Sequence, residues 1–160
     1  MRCNYFLIIS AICSIFFLIG CSGDAVKEPE SIDQVFPPTM TGQIVMNGVA
    51  YPMEKGAYTW ERKNGLGTTI VTTDHASPYQ MAEHIEAIRT NPNQKIDITI
   101  EGNPAIKVYL WGSMGRSKEI KREADQLIVP SSEGTYIYEV VADWPNGTIS
   151  YTFVIEIVPL

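Results

Sequence analysis

From about residue 41 onward, apolar and polar side chains alternate with a period of two. Ile96, Ile98 and Ile100 alternate with Asp97, Thr99 and Glu101, and Ile106, Val108 and Leu110 alternate with Lys107, Tyr109 and Trp111. Such alternation describes a strand with one buried face. Near the C-terminus Tyr136, Tyr138, Val140 and Ala142 form one such row. Ile149, Tyr151, Phe153, Ile155 and Ile157 form another. Trp144-Pro145-Asn146-Gly147 lies between the two rows, and Asn-Gly there predicts a hairpin, because both residues tolerate positive φ. Asn47-Gly48 makes the same prediction between residues 43–46 and 49–53. Further strands are expected over 56–62 and 68–73, with two short pieces within 118–129.

One segment breaks the period. Ser77-Pro78-Tyr79-Gln80 offers an N-cap, a proline at the first helical position and a glutamine able to reach back. Met81, Ile85 and Ile88 then recur at helical spacing, predicting one helix over about 78–89, ended by Asn91-Pro92-Asn93. Many short strands, regular turns and one helix predict an all-β sandwich or barrel.

Gly134-Thr135-Tyr136-Ile137-Tyr138 resembles the tyrosine corner of immunoglobulin-like domains. In that corner a tyrosine opens the penultimate strand two positions before a core residue, here Tyr138. The resemblance implies an immunoglobulin-like antiparallel β-sandwich, with Trp60 or Trp111 as its buried tryptophan. The stretch 56–158 also resembles small secreted domains of Gram-positive lipoproteins, with a Tyr-x-Trp near the start and a tyrosine-rich hairpin at the end. That likeness implies a shape and no activity.

The N-terminus follows different rules. Met1, Arg2, Cys3 and Asn4 form a short, weakly positive region. Tyr5 to Ile19 is an apolar run of 15 residues interrupted only by Ser10 and Ser14. As a helix it spans ~22 Å, short of the ~30 Å hydrocarbon core, which favours an export signal over a permanent anchor. Leu18-Ile19-Gly20-Cys21 resembles the lipobox of bacterial lipoprotein precursors. The resemblance implies a diacylglyceryl thioether on Cys21, cleavage before it by signal peptidase II, and often acylation of the new amine, with palmitate the typical chain. Two or three chains anchor stably where one is marginal. Ser22 follows the cysteine; in a two-membrane cell, the absence of aspartate there resembles an outer-membrane sorting signal. Residues 22–41 combine Gly23, Pro29, Pro37 and Pro38 with five charged side chains. They read as a solvated spacer of roughly 25 Å root-mean-square span. The expected organisation is a signal peptide over 1–20, a lipidated cysteine and tether over 21–41, and the sandwich over 42–160. The expected location is a membrane surface facing away from the cytoplasm.

Composition narrows the function classes. The chain of 160 residues carries a net charge of −6. Cleavage before Cys21 removes Arg2 and no acid, leaving about −7 at neutral pH. That balance argues against nucleic acid, whose phosphates demand a basic patch, and against a polybasic grip on anionic lipid. Cys3, Cys13 and Cys21 are the only cysteines. The mature domain then has no disulfide, thiolate metal site or cysteine nucleophile.

No catalytic constellation stands out, and neither an enzymatic activity nor a cofactor is expected. Ser77 caps a helix rather than attacking a substrate, and no nucleophile elbow surrounds it. His75 and His84, each after an acid, are nine apart and make no helical pair, so no metal site is expected. Met40, Met46 and Met53 read as packing residues. Residues 112–116 read as a turn, and 118–123 as a mixed-charge strand that is either a solvated face or a protected sheet edge. Tyr58, Trp60, Tyr109 and Trp111 read first as core aromatics; those that lie on an outer sheet face are the candidate binding residues, a platform for sugar or peptide. The favoured reading is a membrane-anchored interaction module whose partner is an envelope protein or wall glycan. The alternative is a lipoprotein that captures a small ligand or metal, which requires a pocket around His75 and His84. A hydrolase ranks below both.

Overall fold

A computed structural model describes residues 36–123 and 126–158. The expected signal peptide, Cys21 and most of the expected spacer lie outside the described residues. The strands are β1 (Gly42–Met46), β2 (Val49–Pro52), β3 (Glu54–Asn64), β4 (Gly67–Thr73), β5 (Ile88–Thr90) and β6 (Lys95–Ile100). They continue with β7 (Ala105–Gly112), β8 (Gly115–Ile120), β9 (Gln126–Ile128), β10 (Gly134–Trp144) and β11 (Gly147–Ile157). One short helix, α1 (Pro78–Met81), lies between β4 and β5. No helix among the described residues is long and apolar enough to cross a membrane.

The strands form two sheets, ordered β2-β1-β6-β9 and β4-β3-β11-β10-β7-β8. All these pairings are antiparallel, and β5 adds a short parallel pairing to β11. The arrangement is an immunoglobulin-like sandwich. The closing hairpin β10–β11 lies beside β7 in the larger sheet, while β6 and β9, which flank β7–β8 in sequence, pair in the opposite one. The hairpin β3–β4 extends the larger sheet beyond β11.

The alternating rows supply the core. Ile44, Met46, Ile96, Ile100 and Leu127 of the smaller sheet meet Val108, Tyr138, Val140, Ala142 and the row from Ile149 to Ile157 of the larger one. Each such side chain contributes roughly 1.5–3 kcal/mol on burial. The tyrosine corner is present: the Tyr136 hydroxyl donates to the Ser132 carbonyl at 3.0 Å. Two residues on, Tyr138 is buried and stacks on Phe153, centroids 4.9 Å apart and planes 9° from parallel. Met46 and Met53 are core residues, and Met40 packs against the core. Of Trp60 and Trp111, Trp60 is the buried one, but it comes from the added strand β3 and packs edge-on against the equally core-facing Trp144 at 5.3 Å. On β7 the core position belongs to Val108, with Ile106 and Leu110 packed against the core.

Three expectations change. The helix is one turn rather than three. Its capping box forms, with Gln80 N–H donating to Ser77 Oγ and Ser77 N–H donating to Gln80 Oε1. Residues 88–90 instead pair with Ile155 to Ile157, because the exposed edge of β11 offers those backbone groups a ladder. Second, residues 36–41, assigned by the sequence to the spacer, lie against the sandwich. Phe36 packs on the core and under the Arg62 guanidinium at 4.5 Å, and the Met40 carbonyl accepts the Tyr151 hydroxyl at 2.7 Å. Third, the two Asn-Gly pairs differ. Asn47 and Gly48 have φ of 52° and 79° and form the turn. The second hairpin turns at Pro145-Asn146, and Gly147 already opens β11, opposite Trp144 and Trp60.

Tyr138 and Tyr151 are both about 1% exposed, and burial pushes both phenol pKa values upward by disfavouring the phenolate. Below the ordinary tyrosine value of about 10, folded and unfolded chains are both protonated there. Above it the unfolded chain alone loses these protons, so stability falls with rising pH, by up to about 1.4 kcal/mol per unit for each tyrosine. Urea midpoints measured from about pH 9 to 11.5 should fall accordingly, and Tyr151→Phe should flatten the slope.

Candidate functional site

Among the described residues, Glu139 on the outer face of the larger sheet is the one buried acid, and it has a full set of partners. On β10, Glu139 alternates outward from the core residues Tyr138 and Val140, yet it is only 4% exposed. Across the ladder it pairs with Tyr109 of β7. Its Oε2 accepts the Trp111 indole N–H at 2.6 Å and Arg116 Nε–H at 2.6 Å. Its Oε1 accepts an Arg116 NH2 proton at 2.9 Å. The same guanidinium lies over the Tyr109 ring, 4.5 Å from its centroid. The two-point ion pair is planar and charge-assisted, and the hydrogen bond to Glu139 holds the Arg116 pKa above its ordinary value. The β7–β8 turn positions the arginine. Gly115, with φ of 113°, follows Ser113-Met114, and the register slip after Leu110 sets Arg116 opposite Trp111.

Beside this cluster runs a shallow groove of about 280 Å³. Arg116 and Glu139 border it together with Thr59, Thr72, Thr148, Ser150 and Asp74. Its hydroxyls are held in place: Thr59 and Thr72 lie 3.2 Å apart, Thr148 Oγ1 donates to Asp143 at 2.8 Å, and Ser150 donates to the Ala57 carbonyl. The face therefore presents a pinned cation, aromatic rings and a row of neutral hydroxyls.

The four predicted aromatics divide between two faces. Tyr109 and Trp111 are half-buried on this outer face. Trp60 is in the core, so it is withdrawn as a binding residue; Tyr58 packs against that core and also borders the groove, with the Lys55 ammonium 4.7 Å from its ring centroid. Burial lowers the Lys55 pKa, and its proton donors reach the Thr39 and Pro38 carbonyls. A bulge in β3 between Lys55 and Tyr58 sets this local geometry. Sequence reasoning missed Glu139 and Arg116. An acid on the polar side of a strand reads as solvated, and Arg116 sat in a glycine-bearing turn.

A second concavity lies where β3 and β5 share the edge of β11. β3 covers residues 147–152 and β5 covers 155–157, leaving Phe153 and Val154 at a groove of about 590 Å³. An adjoining groove of about 610 Å³ shares Glu54, His84 and Ile85 with it and adds His75, Glu83 and Met81. Both histidines are exposed. Among the described residues, no group of three or more His, Cys, Asp or Glu side chains is placed to hold a metal ion. Comparison with protein-family models, with curated proteins and with solved structures found no match to this chain.

Proposed function

We propose that this chain is a lipid-anchored lipoprotein on the outer side of a bacterial membrane, and that its sandwich is a non-enzymatic module that binds an envelope glycan. The anchor rests on the lipobox at Cys21, the apolar run before it and the acidic mature chain, which has no electrostatic hold on lipid. The binding reading rests on one observation: Trp111 and Arg116 are locked onto buried Glu139 beside a groove of fixed hydroxyls. A sugar ring offers apolar C–H faces for an aromatic and hydroxyls for charged and polar partners. Groups already held in position lose little entropy on binding.

The purified full chain should bind insoluble wall polysaccharide, and Trp111→Ala should weaken that binding at least about tenfold, the usual effect of removing an aromatic anchor. In bacterial cells that express the chain, Cys21→Ala should abolish fatty-acid labelling. Unchanged binding by the Trp111 variant overturns the glycan reading, and persistent labelling overturns the anchor. Capture of an envelope protein through this face, with no glycan retained, would assign the face to protein.

The groove bordered by His75 and His84 favours a second reading, capture of a small polar ligand. Chemical-shift changes confined to those histidines on adding candidate ligands would support it. Changes confined to Trp111 would support the first.

A further inference from the structure

The four outermost strands of the two sheets are not treated alike. β8 carries Arg116, Lys118 and Glu119. β2 has four residues and ends in Pro52, and β9 has three. Charge, proline and shortness are the usual means of blocking sheet-to-sheet association. β4 has none of them. From Gly65 to Thr73 the chain holds no charge and no proline, and six of those residues, Thr68-Thr69-Ile70-Val71-Thr72-Thr73, are β-branched. β4 ends the order of the larger sheet, Ile70 is 61% exposed, and Leu66 at the tip of the hairpin is fully exposed.

The register defines what this edge can accept. Asn64 opposes Gly67 across the two-residue loop Gly65-Leu66, so that pair is hydrogen-bonded and the bonding alternates from there. Gly67, Thr69, Val71 and Thr73 turn their backbone groups to β3. Thr68, Ile70 and Thr72 turn theirs outward, where no described strand meets them.

We propose that a second copy of this chain pairs with β4, antiparallel about a two-fold axis through the Ile70–Ile70 pair. A two-fold axis normal to a sheet pairs only residues on the same face. Centred on Ile70, it opposes Thr68 to Thr72 and Thr69 to Val71. Every outward-turned backbone group then meets an outward-turned partner. The cross-strand pairs are Ile–Ile, Thr–Thr and Thr–Val, all favourable in sheets. Self-pairing normally fails on like charges, and this strand has none. The contact is a ribbon of seven residues, below the size of a stable obligate interface, so the association is weak and concentration-dependent.

The test uses the full chain in detergent. Oxidised Ile70→Cys should form a disulfide dimer, since hydrogen-bonded antiparallel pairs hold their Cα atoms about 5.5 Å apart. Thr68→Cys should crosslink only when Thr72→Cys is also present, and Ser113→Cys, in the β7–β8 turn, should not exceed the parent. Sedimentation should show a dimer whose dissociation constant rises at least tenfold in Ile70→Lys and little in Ile70→Val. A parent chain that stays monomeric, an Ile70→Lys variant that associates equally well, or Ile70→Cys that crosslinks no better than Ser113→Cys overturns the proposal.

Discussion

Tyr138→Ala should cost about 4 kcal/mol of folding stability, within the range for truncating a buried aromatic. The ring is about 1% exposed and lies flat on Phe153 of the neighbouring strand. Three terms add: the lost apolar burial, the cavity left between sheets that cannot collapse, and the lost stacking, worth about 1 kcal/mol by itself. Tyr136→Phe provides the contrast. That tyrosine is half-buried and gives up one hydrogen bond, to the Ser132 carbonyl, so about 1 kcal/mol is expected. Urea unfolding of both variants measures the difference. A Tyr136 variant as damaging as the Tyr138 variant would mean that the corner, rather than the stack, holds β10 in place.

Gly147→Ala should cost about 3 kcal/mol, the upper end for forcing extra volume into a packed site. An added Cβ would collide with the Thr59 carbonyl, and would sit 2.6 Å from Trp60 Cε3 and 2.9 Å from Trp60 Cα. Two of these three obstacles are backbone atoms of β3, which can move only by shifting the β3–β11 pairing. Gly48→Ala is the comparison. Its φ is 79° and a Cβ there meets nothing within 4 Å, so the cost is conformational alone, about 1 kcal/mol. Both glycines follow an asparagine. If the two alanine variants lost equal stability, the close approach of β3 to Gly147 would not be a real constraint.

The alternating rows and the tyrosine corner made most strands, the two-sheet architecture and the membership of Tyr138 in the core legible before any coordinates. Short motifs, Ser77 with Gln80 and Asn47 with Gly48, placed the capping box and the first turn. The residues around the candidate site were only half legible. Tyr109 and Trp111 were singled out as aromatics, but so were Tyr58 and Trp60, and each pair lies two residues apart on one side of its strand. Which face turns inward depends on the partner sheet, and a local pattern carries no record of it.

What the amino-acid sequence determined by itself was the period: which residues lie on one side of each strand, where turns fall, and that an apolar run ends in Cys21. Those properties depend on neighbours two to four positions away. Only the tertiary structure decided that Glu139 is buried, that Arg116 and Trp111 converge on it from β8 and β7, and that Gly147 is needed for space rather than for a turn. The same holds for residues 88–90, which left a helix for a ladder on β11. In each case the deciding atoms lie more than 20 residues away in the chain. Desolvation, collision and ladder bonding are set by what is close in space.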